Sequence, residues 1–129
     1  MTVLVVEDKQ ATRLLLQEIL EKAGYQVLLT EFGETAKQIL QETHVDAVIV
    51  SWALQARSGL ELAHWIRQQP PRIGRQLVVI AVGNVSPVRD SFNRYPVDIF
   101  VPRPFNPTEI LAFLKRLLSF EERAGIGNV

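Results

Sequence analysis

Asp46-Ala-Val-Ile-Val-Ser51-Trp52-Ala-Leu54-Gln-Ala-Arg57-Ser58-Gly59 is the stretch whose reading decides the fold. Ala47 to Val50 is an uninterrupted apolar run. Such a run suits a strand buried on both faces, as in a parallel sheet covered by helices. It breaks off at Ser51, and from Ser58 the pattern turns helical, with Leu60, Ala63 and Ile66 at spacings of three. Ligands and chemistry in open α/β sheets gather just beyond the carboxyl ends of the strands. Ser51 therefore stands where a reacting group is expected.

Working outward toward the amino end, Thr2 to Val6 reads as a first buried strand that ends at the acidic pair Glu7-Asp8. A helix is predicted from about Lys9 to Ala23, with Ala11, Leu14, Leu15, Ile19 and Leu20 as its apolar stripe and Gly24 as its stop. Tyr25 to Thr30 is a second strand, and Gly33-Glu34 leads into a helix carrying Ala36, Ile39 and Leu40.

Toward the carboxyl end, Pro70-Pro71 closes the third helix and opens a loop to about Gln76. Leu77 to Val82 is the most apolar strand and is placed centrally; Gly83-Asn84 closes it. A short, weakly amphipathic helix is expected within Ser86 to Tyr95, capped by Ser86, started by Pro87 and ended by Pro96. Val97 to Val101 is a fifth strand. Asn106-Pro107-Thr108-Glu109 opens the last helix as cap, first position and third position. Its broad apolar face is Ile110, Leu111, Phe113, Leu114, Leu117 and Leu118. Residues 1–123 form one domain in this reading, and Ala124 to Val129 is a tail or the start of a linker.

Strands alternating with helices define an α/β fold: a doubly wound (βα)5 sandwich with a parallel sheet in the order 2-1-3-4-5. A chain of 129 residues can bury a single core. The absence of cysteine excludes disulfides, thiolate chemistry and cysteine-based zinc sites. Lys and Arg total 14 and so do Asp and Glu, a balance that argues against direct nucleic-acid binding by this domain. No run approaches the roughly 18 apolar residues of a membrane span. Val3 to Val6 is too short for a signal-peptide core and has no basic residues before it, so the chain is expected to be cytoplasmic.

In that strand order the ends carrying Glu7-Asp8, Ser51 and Arg103-Pro104-Phe105 converge. With Val3-Leu-Val-Val-Glu-Asp8, Asp46 to Ser51, Ser58-Gly59-Leu60-Glu61-Leu62 and Arg103-Pro104-Phe105 in this order and spacing, the chain resembles the receiver domain of two-component response regulators over nearly its whole length. The resemblance implies a phosphorelay signalling module rather than an enzyme. In a working receiver an acidic pair holds Mg²⁺ and a third carboxylate accepts a phosphoryl group from phosphohistidine. The metal neutralises charge in transfer, and a lysine and a Ser/Thr hydroxyl meet the phosphoryl oxygens.

By this resemblance Glu7 and Asp8 match the acidic pair, while Ser51 falls on the acceptor aspartate. Gly83 falls on the Ser/Thr switch, Phe100 on the aromatic switch, and Arg103, followed by Pro104, on the lysine. Ser51 has no carboxylate to make an acyl phosphate and no evident base beside it. It also removes a metal ligand, so Glu7 and Asp8 are expected to hold Mg²⁺ weakly at most, and no other cofactor is expected. Gly83 has no hydroxyl to follow a phosphoryl group, and Arg103 is a wider fork than an ammonium.

The expectation is a pseudo-receiver, a degenerate receiver that lacks the phosphoacceptor and acts by phosphorylation-independent protein contacts. Its partners would be a histidine kinase, an output domain or a second copy of itself. A residual acceptor at Glu7, Asp8 or Ser51 is the alternative, and a small-ligand sensor using the emptied pocket is a third; no Gly-rich phosphate loop follows the first strand to support it. Pairing of Arg103 with the acidic residues is preferred to a weak cation site. Trp52 and Leu54 rim the pocket and read either as an interaction surface or as a plug folded over it. His44 and His64 read as surface residues, and Phe120 as a contact for a dimer or neighbouring domain.

Overall fold

Alternate residues of a strand face opposite ways, and here both sets are apolar. In β1 (Thr2–Val6), Val3 and Val5 point to one face of the sheet and Leu4 and Val6 to the other, all fully buried. A strand of that kind needs a helical layer on each side. The computed structural model, which describes residues 1–52, 58–70, 77–83 and 97–127, supplies both layers. After β1 come α1 (Gln10–Lys22), β2 (Gln26–Thr30), α2 (Gly33–Glu42), β3 (Ala47–Ser51) and α3 (Ser58–Arg67). They are followed by β4 (Val78–Gly83), β5 (Ile99–Pro102) and α4 (Pro107–Gly127). All four strand pairings are parallel, in the order β2-β1-β3-β4-β5. The fold class and strand order agree with the sequence reading.

One core lies between the sheet and α2 and α3, where Leu4, Val6, Val48, Val50, Val79 and Ala81 meet Ala36, Leu40, Leu62, Ala63 and Ile66. The second lies on the opposite face, where Val3, Val5, Ile49, Ile80 and Val101 meet Leu16 and Leu20 of α1 and Ile110, Leu114 and Leu118 of α4. β3 and β4 are buried along their whole length, whereas β2 and β5 are not. The strand read as central, β4, is interior, but β3 takes the middle position.

Three further expectations are corrected. Leu14 and Leu15 are 48% and 43% exposed, and the buried positions of α1 are Leu16 and Leu20. Three consecutive leucines carry no phase of their own, so the helix can be threaded with either stripe. Strand ends shift by one or two residues: β2 begins at Gln26, β4 runs from Val78 to Gly83, and β5 from Ile99 to Pro102. The last helix continues to Gly127, through the first part of the stretch read as tail. Extending a formed helix fixes one residue per added bond, so the Glu, Arg and Ala beyond Phe120 continue it at little cost. Its start is as expected: Asn106 Oδ1 accepts the Thr108 N–H at 3.0 Å, with Pro107 at the first position. The helix expected within 86–95 lies outside the described residues.

Candidate functional site at the carboxyl ends of the strands

Each pocket residue is set by the backbone bonds that continue the sheet beyond its last strand pairs. The Glu7 N–H donates to Thr30 O at 3.0 Å, and the Arg103 N–H donates to Gly83 O at 2.7 Å. Ser51 pairs in register with Val82. α3 then starts so close to the end of β3 that a Cβ on Gly59 would run into the Ser51 carbonyl oxygen. Only glycine allows that approach without moving backbone.

These anchors bring together three of the predicted residues. Arg103 Nη2 donates to Glu7 Oε2 at 2.6 Å and to Ser51 Oγ at 3.3 Å. Glu7 and Ser51 are each 1% exposed. Glu7 Oε1 accepts the Lys9 N–H at 3.1 Å, so both oxygens of the carboxylate are engaged. The guanidinium is mostly buried, stands 5.9 Å from the centre of the Phe105 ring, and keeps its Nε without a hydrogen-bond partner among the described residues. The Arg103–Pro104 bond is cis.

Burial pushes the Glu7 carboxyl above its ordinary value. The Lys9 amide and the Arg103 charge pull it back, and neighbouring Asp8 adds to the rise. Asp8 itself is exposed, so the acidic pair is divided between a buried member and one at the rim. Arg13 fastens the turn between them: its Nη1 donates to Glu7 O at 2.9 Å, and its Nη2 pairs with Glu31 at 3.2 Å.

Trp52 turns inward. Its N–H donates to Val82 O at 2.6 Å, its side chain packs on the core shared with α2 and α3, and its ring meets Phe100 edge to face at 6.0 Å and 86°. Gly83 lies beneath this pair. Leu54 falls outside the described residues, and so does the side chain of Phe120. His44 is exposed in the turn before β3, at the other end of the sheet, with Nε2 3.1 Å from Asp46 Oδ1; His64 is exposed on α3.

The sequence reading missed two carboxylates that do structural work. Asp46 Oδ2 accepts the Thr2 N–H at 2.8 Å, and Asp98 Oδ2 accepts the Val79 N–H at 2.7 Å. Each precedes an apolar run by one residue, and that position was the available signal.

A parallel sheet in this order, with a buried acid, a serine and a cation on converging strand ends, has the flavodoxin-like architecture of receiver folds. The chain belongs to the response regulator receiver domain family, whose model it matches over residues 3–115. It is 26% identical over 127 residues to the phosphate regulon transcriptional regulatory protein PhoB of Pseudomonas aeruginosa, an alignment covering 98% of this chain and 54% of that protein. The chain thus spans about half the length of that relative. Among solved structures, the CheY-like receiver domain protein of Methanospirillum hungatei superposes with a TM-score of 0.83 at 21% identity, covering 95% of this chain and 97% of that one. That likeness carries the fold alone. The response regulator TrrA of Thermotoga maritima, solved with Mg²⁺ and BeF, gives a TM-score of 0.78 at 30% identity over 90% of this chain and 97% of that one. This is accordingly a receiver domain of two-component type, a signalling family whose members engage histidine kinases and output domains. Among the described residues no helix is long and apolar enough to cross a membrane.

Proposed function

We propose that this receiver domain no longer accepts a phosphoryl group and signals through protein contacts that do not depend on one. The observation that carries the reading is the Glu7–Arg103–Ser51 cluster. At the end of β3 stands a neutral hydroxyl, 1% exposed, whose hydrogen-bond donor is a guanidinium. Activating a serine takes a base to remove its proton, and a guanidinium, permanently charged and without an acceptor, cannot be that base.

The donor set is also a poor match for Mg²⁺, which wants several well-placed oxygens and gives up water reluctantly. Glu7 spends one oxygen on Arg103 and the other on the Lys9 amide, and Ser51 supplies no charge. Arg103 puts a positive charge where a divalent ion would have to sit near Glu7, so cation binding is weak at most. The internal ion pair neutralises the pocket in place of a metal.

In this reading the domain is a pseudo-receiver rather than an enzyme. It works in the cytoplasm and binds a histidine kinase, an output domain or a second copy of itself, without touching nucleic acid directly. Its output follows partner concentration and differential affinity, since a state shifts only under such a bias.

The test is incubation with acetyl phosphate and Mg²⁺, followed by intact mass. No adduct is expected, and a near-stoichiometric phosphoryl adduct, whether a labile acyl phosphate or a stable ester at Ser51, would overturn the reading. Exposed Asp8 favours a second reading, in which it serves as a residual acceptor. That version requires an adduct that vanishes in Asp8→Ala and persists in Ser51→Ala.

A further inference from the structure

Gly83, Trp52 and Phe100 form a packed group that the ion-paired pocket does not use. A Cβ placed on Gly83 would lie 2.8 Å from Trp52 Cβ and 3.4 Å from Phe100 Cζ. Real Cβ atoms essentially never approach a neighbour as closely as the first of these. The atom in the way is not the end of a flexible side chain. It is bonded directly to a backbone that is held on both sides: the Trp52 N–H is tied to Val82 O at 2.6 Å, and the preceding Ser51 carbonyl abuts α3 at Gly59. Trp52 therefore cannot retreat without disturbing the junction of β3 and α3. Beyond its Cβ the indole stands edge-on to Phe100, whose own exposure is 9%.

We infer that Trp52 is a fixed internal wedge that occupies the space over Gly83 and holds Phe100 turned in, so that the end of β5 keeps one conformation whatever the state of the acidic pocket. Coupling between a pocket and a distant side chain needs atoms between them that can take up two arrangements. Position 83 offers no side chain to move, and the volume beside it is filled by the anchored Trp52 Cβ and the edge of the Phe100 ring. Phe100 thereby loses its route to a second packing, because a close-packed interior is not continuously deformable. The inference concerns Phe100 and does not depend on whether any residue of the pocket takes up phosphate.

The contact with the Trp52 Cβ, rather than with its ring, yields a specific mutational signature. Gly83→Ala is expected to be as disruptive in a Trp52→Ala background as in the natural chain, because alanine keeps the offending atom. Only Trp52→Gly should relieve it, and urea unfolding of the double variants reads this directly. Equal relief by Trp52→Ala and Trp52→Gly would overturn the geometry on which the wedge rests.

The conformational claim is tested on the whole chain labelled in phenylalanine, with the Phe100 resonance identified by its loss in Phe100→Leu. Rotamer couplings should show one side-chain state for Phe100 in the natural protein and in Glu7→Gln, where the pocket charge is altered. Trp52→Gly should admit a second state above about one tenth of the population, the upper range of ordinary minor states. Should that variant fail to fold, Trp52→Leu, which trims the ring but keeps apolar bulk, is expected to show the same second state. Overturning results are a single Phe100 state in whichever of the two variants folds, or a Phe100 that responds to Glu7→Gln with Trp52 in place.

Discussion

The two ends of the sheet both carry carboxylates beside arginines, yet the pairs are built differently. At the amino ends, Asp46 and Asp98 each accept a backbone N–H from the neighbouring strand. Arg67 completes the second clamp, giving Nη2 to Asp98 at 3.0 Å and Nη1 to Leu77 O at 2.8 Å. These groups extend the ladder past its last regular pair and stay close to solvent. At the carboxyl ends, Glu7 is fully buried and faces a side-chain cation. The amino-end carboxylates stitch backbone, where water shares the burden of solvating their charge. The carboxyl-end carboxylate sits where water is excluded, so its charge is tolerated only because Arg103 answers it.

That contrast sets the order of mutational costs. Arg103→Ala is expected to be the most damaging, about 3 kcal/mol. It strands a buried carboxylate, and the loss is limited to the low end of the usual range because Glu7 can take up a proton. Replacing both partners with apolar residues, as in Glu7→Leu with Arg103→Met, should recover most of that loss, since a well-packed apolar pair often equals a buried ion pair. Urea midpoints of the natural protein and these two variants check this. A double variant no better than Arg103→Ala would mean that the pair contributes specific structure beyond cancelling its own charge.

Asp98→Ala should cost less, about 1–2 kcal/mol. The chief loss is the acceptor for the part-buried Val79 N–H. The ion pair to Arg67 adds little at the observed exposure, 26% and 34% for the two side chains. Asp98→Asn, which keeps an acceptor oxygen, should recover part of the loss. If Asp98→Ala proved as costly as Arg103→Ala, the two ends would not differ in the way their burial implies.

The architecture was legible because it rests on features that sequence displays openly. Apolar runs such as Ala47 to Val50, broken by polar residues and followed by helical spacing, name the elements and nearly fix their order. The convergence of Glu7, Ser51 and Arg103 follows from that order alone. What resisted reading depends on phase or on distances of a few tenths of an ångström. The Leu14-Leu15-Leu16 run fits two helical stripes, and only packing against the sheet selects Leu16. The division of the acidic pair into a buried Glu7 and an exposed Asp8 depends on how the turn after β1 is fastened by Arg13. The inward turn of Trp52 depends on the missing Cβ at Gly83, thirty-one positions away in the chain but adjacent in the sheet.

The smallest expected effect is also the one that separates burial from pairing at Glu7. Two forces oppose each other there: burial raises the carboxyl above its ordinary value of 4.5, and Arg103 lowers it, with burial the larger. A carboxyl raised in the folded state holds its proton to higher pH than the unfolded chain does. Its contribution to stability is then fully present below the unfolded value and is lost as pH rises through the folded one. Stability measured from about pH 4 to 8 should therefore decline over the window just above 4.5, and Glu7→Gln, which carries no titrating group, should lose that part of the decline. A natural protein that instead gained stability across this window, relative to Glu7→Gln, would place the folded value below the unfolded one and make the ion pair the stronger force. The same logic ties back to Arg103→Ala, whose cost should shrink as pH falls, because a protonated Glu7 no longer needs the cation that was removed.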